Sequence, residues 1–117
     1  MRYTFSKQQR LRSSREFDRV YGQKRRFSDQ RLLIFAAANG MDHTRIGLSV
    51  SRKQGTAAKR FRIKRLLREA FRLSQHELPA GYDFILIPKT GIDASVTDYR
   101  ESLVSLAKKA ACQLGGH

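Results

Sequence analysis

The chain has 117 residues, with 24 Lys or Arg against 10 acids, a formal charge of +14 and a pI near 10.9. That length suits one domain able to bury roughly two-thirds of its unfolded surface, and that charge points to a polyanionic partner, nucleic acid first. The longest apolar stretches, near Leu32–Ala38 and Phe84–Ile87, are too short to span a bilayer, and a single cysteine excludes an internal disulfide and fits a reducing compartment.

The first fifteen residues contain no acid and lack the apolar stretch of a secretory signal. Their Arg- and Ser-rich composition is that of an organelle transit peptide, and a basic arm touching nucleic acid accounts for them equally well. Residues 1–9 read as such an arm. Ser13-x-x-Glu16 is a capping box that starts a short helix through about Tyr21, with Gly22 as its stop. Leu32 to Ala38 reads as a buried strand turned by Asn39-Gly40. Ile46 to Ser51 alternates strictly, a strand with Ile46, Leu48 and Val50 facing inward.

Thr56 then caps a long helix expected to reach about Gln75, before Pro79. Tyr82 to Ile87 is a nearly continuous apolar run, expected as the central strand. Ser95-x-x-Asp98 opens a last helix with Tyr99, Leu103, Leu106, Ala110 and Leu114 on one face and Gly115 past its end. Cys112, in an Ala-rich stretch, reads as a small buried hydrophobe. Residues 114–117 read as a tail. This order predicts a single α/β (α+β) domain over residues 1–117, a two-layer sandwich of helices on a small sheet.

The long helix carries the chemistry. Between Lys59 and Arg72 there are seven cations and one acid, Glu69. At about 100° per residue, Ile63, Leu66, Leu67, Ala70 and Phe71 fall on one side and Arg65, Arg68 and Arg72 on the other. A solvated helix face interleaves Glu with Lys; a ridge of guanidinium groups instead suits the acceptors of a phosphate backbone. Residues 1–28 and 45–72 hold most of the positive charge, and these two blocks are expected to meet as one electropositive surface. Neither pairs its charge with a wide, Trp-rich apolar face, which argues against a membrane partner.

Signs of unaided catalysis are missing. His43, His76 and His117 have no metal-ligand spacing. The acids are scattered, and Glu16 and Asp18 face different ways on a helix. Two-metal phosphodiester cleavage needs clustered carboxylates, and no Gly-rich phosphate loop is present. No catalytic or metal-ligating residue is expected in the protein.

The segment Ile46-Gly47-Leu48-Ser49-Val50-Ser51-Arg52-Lys53, a short Gly-containing turn, and Arg60-x-Arg62-Ile63-Lys64-Arg65-Leu66-Leu67-Arg68-Glu69-Ala70-Phe71-Arg72 resembles the protein component of bacterial ribonuclease P. The signature of that family is an Arg-Asn-Arg helix after a Gly-x-Ser-Val-Ser-Lys-Lys strand. Arg10-Leu11, Glu16-Phe17 through Val20-Tyr21, and Gly81 through Ile87 extend the resemblance over roughly residues 5–112.

The resemblance implies three helices on a mixed sheet of about four strands with a left-handed β-α-β crossover, against the usual hand. It implies a protein subunit, inactive alone, of an RNA-based endoribonuclease that removes the 5′ leader of precursor tRNA in the cytoplasm. Its partners would be the catalytic RNA, one to one, and precursor tRNA, but neither DNA nor membrane; the RNA subunit would hold the Mg²⁺. Contacts to the catalytic RNA carry over to Lys53, Arg60, Arg62, Lys64, Arg65 and Arg68. The leader cleft carries over to Phe17, Tyr21 and Phe35, rimmed by Arg15, Arg19 and Arg52. Phe61 replaces the signature Asn, and either packs against the helix entry or N-terminal arm or stacks on an RNA base. Gly55-Thr56 replaces the Gly-Asn turn. The competing reading is a ribosomal protein or general RNA chaperone, which needs no such aromatic trio; a helix-turn-helix regulator needs a second helix where this chain has strands.

Overall fold

The computed structural model describes residues 5–115. Its elements are α1 (Ser14–Gly22), β1 (Arg26–Ser28), β2 (Leu32–Ala38), β3 (Arg45–Leu48), α2 (Ala57–Ser74), β4 (Tyr82–Pro88) and α3 (Val96–Leu114). Single 3-10 turns lie at Lys7–Gln9, Arg52–Gln54 and Gln75–Glu77. The side chains of Ser13, Thr56 and Ser95 accept the backbone N–H of Glu16, Lys59 and Asp98. Each cap contributes about 1 kcal/mol to an orphaned helix start, so all three helices begin where their caps dictate.

The strands form one mixed sheet in the order β1-β2-β4-β3. β4 is central, antiparallel to β2 and parallel to β3, with α2 as the β3-to-β4 connection. This is the expected α+β arrangement of three helices and four strands. β1 has no signal of its own in the residues, because three residues with one buried side chain, Phe27, show no period. β3 stops at Leu48, short of the Ser51 end that its alternation suggested.

Pleating divides the sheet's side chains between two faces. Phe27, Leu32, Ile34, Ala36, Ile46, Phe84 and Leu86 pack on Ile63, Leu67, Ala70 and Phe71 of α2 and on Tyr99, Leu103, Leu106, Ala107 and Ala110 of α3. The intervening residues face the other way. There α1 crosses alone, burying Val20 with Leu11, Ala37 and Ile85, so it adds a partial layer on the reverse of the main sandwich.

Three local expectations are corrected. Cys112 is exposed, since it lies about 200° around the helix from the buried Ala110. Leu66, placed on the core stripe of α2, is only half-buried. The chain leaves α1 through Lys24, whose φ is +56°, rather than through Gly22, which is the helix's last residue. A lysine in the left-handed region costs about 1–2 kcal/mol, offset here by the pairing of β1 that follows it.

Candidate nucleic-acid interface

The aromatic trio meets on the α1 face. Phe17 and Tyr21 lie one turn apart with ring centroids 6.4 Å apart, and Tyr21 meets Phe35 edge to face at 4.9 Å. All three are half-buried, as are Leu33 and Ile87, which share this face with Phe35 by strand alternation. The result is a groove with an apolar floor and one aromatic wall.

Gly47 sets the depth of that groove. A Cβ there would lie 2.4 Å from Cζ of Phe17. Any side chain on β3 at this point would push the ring off the sheet.

α1 is held in place from the opposite side by a polar network that sequence reasoning missed. Asp83 on β4 is 0 % exposed. Arg45 donates to it from Nε (2.9 Å) and Nη2 (2.7 Å), Asn39 donates from Nδ2 (2.9 Å), and Arg19 of α1 completes the set. Arg45 also donates to Glu16 (2.8 Å), while Arg19 reaches the carbonyl of Ala38 (3.2 Å). Backbone N–H groups of Arg12 and Ser13, then Arg45, hold the Glu16 carboxyl below its ordinary value. A buried carboxylate is tolerated only with such a shell. Arg19 is therefore tied into the network and does not rim the groove, which corrects its expected role. The available signal was Asp83 itself, a lone acid in an apolar central strand.

The two basic blocks meet through the N-terminal segment. Arg10 bridges to Ile46, and Leu11 donates its N–H to the Ile46 carbonyl at 2.8 Å. Phe5 packs edge-on against Phe71 (5.4 Å) under the Arg10 guanidinium (4.6 Å). This lays Arg10 and Arg12 beside Lys64 and Arg68 of α2, around a groove of about 250 Å³ that also touches Phe17 and Gly47. The basic helix and the aromatic groove are thus parts of one surface.

The cations of α2 divide over two flanks. Lys64 and Arg68, both half-buried, face the N-terminal segment. Arg62 and Arg65, both exposed, line a groove of about 550 Å³ with Leu66, Glu69 and Val96. Arg60 is half-buried, and its Nε has no hydrogen-bond partner among the described residues. Arg52 and Lys53 are exposed in the turn before α2. Arg72, the last residue of the expected ridge, donates to Glu69 at 2.9 and 2.6 Å, so part of its charge is compensated within the helix. Phe61 is 60 % exposed and, by helical angle, heads the line that continues through Arg65 and Arg68.

Among the described residues no group of three or more His, Cys, Asp or Glu side chains is placed to hold a metal ion. His43 contacts Asp42 (3.0 Å) and the Gln8 carbonyl (2.9 Å), His76 is exposed, and His117 lies outside the described residues. No helix among the described residues is long and apolar enough to cross a membrane.

The family model of ribonuclease P matches residues 5–111. A relative from Haemophilus influenzae, the "Ribonuclease P protein component", is 45 % identical over 93 residues, covering 79 % of this chain and 77 % of that protein. The protein of the same description from Alkaliphilus oremlandii is 36 % identical, with 86 % and 89 % covered. The solved RNase P protein of Thermotoga maritima superposes with a TM-score of 0.76 at 32 % identity, covering 86 % of this chain and 96 % of that one. That of Staphylococcus aureus gives 0.75 at 29 %, covering 87 % and 94 %. With residues 5–111 matched by the family model, and with relatives and a solved structure of that family at 32–45 % identity over most of the chain, the chain belongs to the ribonuclease P protein family.

Proposed function

We propose that this chain is the protein subunit of an RNA-based endoribonuclease that removes the 5′ leader from precursor tRNA. The observation that carries the reading is the continuity of the two surfaces: one cationic flank of α2 and the aromatic groove under α1 meet where Phe17, Gly47, Lys64 and Arg68 line one depression. A folded RNA offers phosphates at fixed spacings, which Lys53, Arg60, Arg62, Lys64, Arg65 and Arg68 bind as point and fork donors. A single-stranded leader offers bare bases as well, which Phe17, Tyr21 and Phe35 stack while Arg52 follows the backbone. Phe61, bare at the head of α2, stacks on an unpaired base of the catalytic RNA.

The protein's own work is binding and orientation. Among the described residues no cluster of carboxylates, histidines or cysteines could hold a metal ion, which supports assigning hydrolysis to Mg²⁺ held by the RNA subunit. The complex is one protein with one catalytic RNA in the cytoplasm, with no role for DNA or membrane.

The test is dependence on RNA. Purified protein with Mg²⁺ should leave precursor tRNA intact, and adding the catalytic RNA that copurifies with it should restore 5′ processing at physiological salt. Robust cleavage by protein alone, resistant to ribonuclease pretreatment, would overturn the reading. Copurification of ribosomal RNA in its place favours the ribosomal or chaperone alternative.

A further inference from the structure

We propose that Lys24, Arg25 and Arg26 form a second cationic bank, at the β1 edge of the sheet, that binds the phosphates of the 5′-distal part of the leader. The inference rests on reading the α1 face as the leader groove, and it extends that groove to the β1 edge of the sheet.

The register fixes the position. Arg26 stands opposite Phe35 in the antiparallel β1–β2 pair, and opposed residues in such a pair project from the same face. The Arg26 side chain therefore flanks the aromatic floor. The Arg25 carbonyl accepts from Ala36 (3.0 Å), and the Lys24 N–H donates to the Tyr21 carbonyl (3.0 Å). The backbones of all three residues thus border the Tyr21–Phe35 pair at the β1 edge; Arg26 alone projects onto the aromatic face, while Arg25, opposite Ala36, reaches around the edge toward Gln113 of α3.

Charge accounting separates these residues from the chain's structural arginines. Arg19, Arg31, Arg45, Arg72 and Arg100 each meet a carboxylate. Lys24, Arg25 and Arg26 are all exposed, and none has an acid partner among the described residues; the contact of Arg25 is the neutral Gln113 at 3.5 Å. Three adjacent cations at a turn repel one another. The chain carries this local cost together with a lysine in the left-handed region.

The opposite bank, Arg52 and Lys53, follows β3 at the far edge. The two edge strands are three inter-strand spacings apart, about 14 Å. A strand of RNA crossing the aromatic floor meets one bank on entering and the other on leaving. Short leaders reach only the first bank and the floor, while longer ones reach Lys24–Arg26.

The experiment measures holoenzyme affinity for precursor tRNA with leaders of about 4 and about 12 nucleotides, lengths within the range of site sizes of small single-strand-binding domains. Mature tRNA is the third ligand, and salt is varied. Arg25→Ala with Arg26→Ala should weaken binding of the long leader about 10-fold near 0.15 M salt. It should also flatten the log–log salt slope by about 1.4, two single-strand contacts at roughly 0.7 each. The short leader and mature tRNA should be unaffected. Arg25→Gln with Arg26→Gln, which preserves side-chain length, should give the same pattern and guards against a folding defect. Equal losses for all three ligands place the bank on the catalytic RNA or the tRNA body and overturn the proposal. No loss for any ligand also overturns it. Phe17→Ala, run in parallel, should weaken both leader lengths; if it weakens neither, the reading of the groove itself fails.

Discussion

The two faces of the sheet are built from alternate residues of the same strands yet reach opposite ends. On the α2–α3 face, Leu32, Ile34, Ala36, Phe84 and Leu86 are each 0 % exposed. On the α1 face, Leu33, Phe35 and Ile87 remain half-buried under a nine-residue helix that covers only part of the surface. Residues of the same kind therefore stabilise the fold on one side and stay available for a ligand on the other. What separates them is the area of the covering layer: 37 helical residues against nine.

The sharpest way to break this comparison is to hollow the sealed face. Phe84→Ala removes a fully buried ring and should cost about 3–5 kcal/mol of stability, seen as a large fall in denaturation midpoint. The protein that remains folded should show no preference between leader-bearing and mature tRNA beyond that of the wild type. A leader-specific loss from this substitution would erase the distinction between the faces.

On the open face, Tyr21→Ala should weaken holoenzyme affinity for a leader-bearing precursor by about 1–3 kcal/mol, the usual worth of one base stack. Mature tRNA should bind unchanged, and the melting temperature should fall less than for Phe84→Ala. A large thermal loss with no leader dependence would return Tyr21 to the ordinary core.

On the outer flanks of α2, Arg65→Ala and Arg68→Ala should each flatten the salt slope for the catalytic RNA by about one unit, with little thermal effect. Unfolding with an unchanged slope would mean that α2 binds RNA by another flank.

The smallest effect concerns pH. Glu16 has its carboxyl lowered first by the Arg12 and Ser13 N–H groups and then by Arg45. A depressed carboxyl contributes stability that is present above its unfolded value, near 4.3, and is lost as pH falls through the folded one. Glu16→Gln should thus lose less than about 1 kcal/mol at pH 7, and urea midpoints of variant and wild type should converge below pH 4.

The parts that were legible in the sequence rest on short-range chemistry. Thr56 and Ser95 announce their helices because a cap acts over three residues, and Leu32–Ala38 emerges with its true bounds because seven apolar residues sit between polar turns. The trio of Phe17, Tyr21 and Phe35 was found through the family resemblance; helical spacing alone reads Phe17 and Tyr21 as core. What stayed hidden depends on distant pairings. The role of Gly47 is visible only with Phe17 above it, Arg19 looks like a free rim cation until Asp83 is found beneath it, and three residues of β1 carry no period.

The edges of this sheet have a further consequence for the free subunit before RNA arrives. Unpaired strand edges are templates for pairing with other chains. Here one edge is occupied by the N-terminal segment, through the Leu11 N–H on the Ile46 carbonyl. The other is only three residues long and begins with Arg26. Neither edge offers a neighbouring copy a long flat ladder, so the chain is guarded against edge-to-edge aggregation during the interval when its charge lacks a counter-polymer.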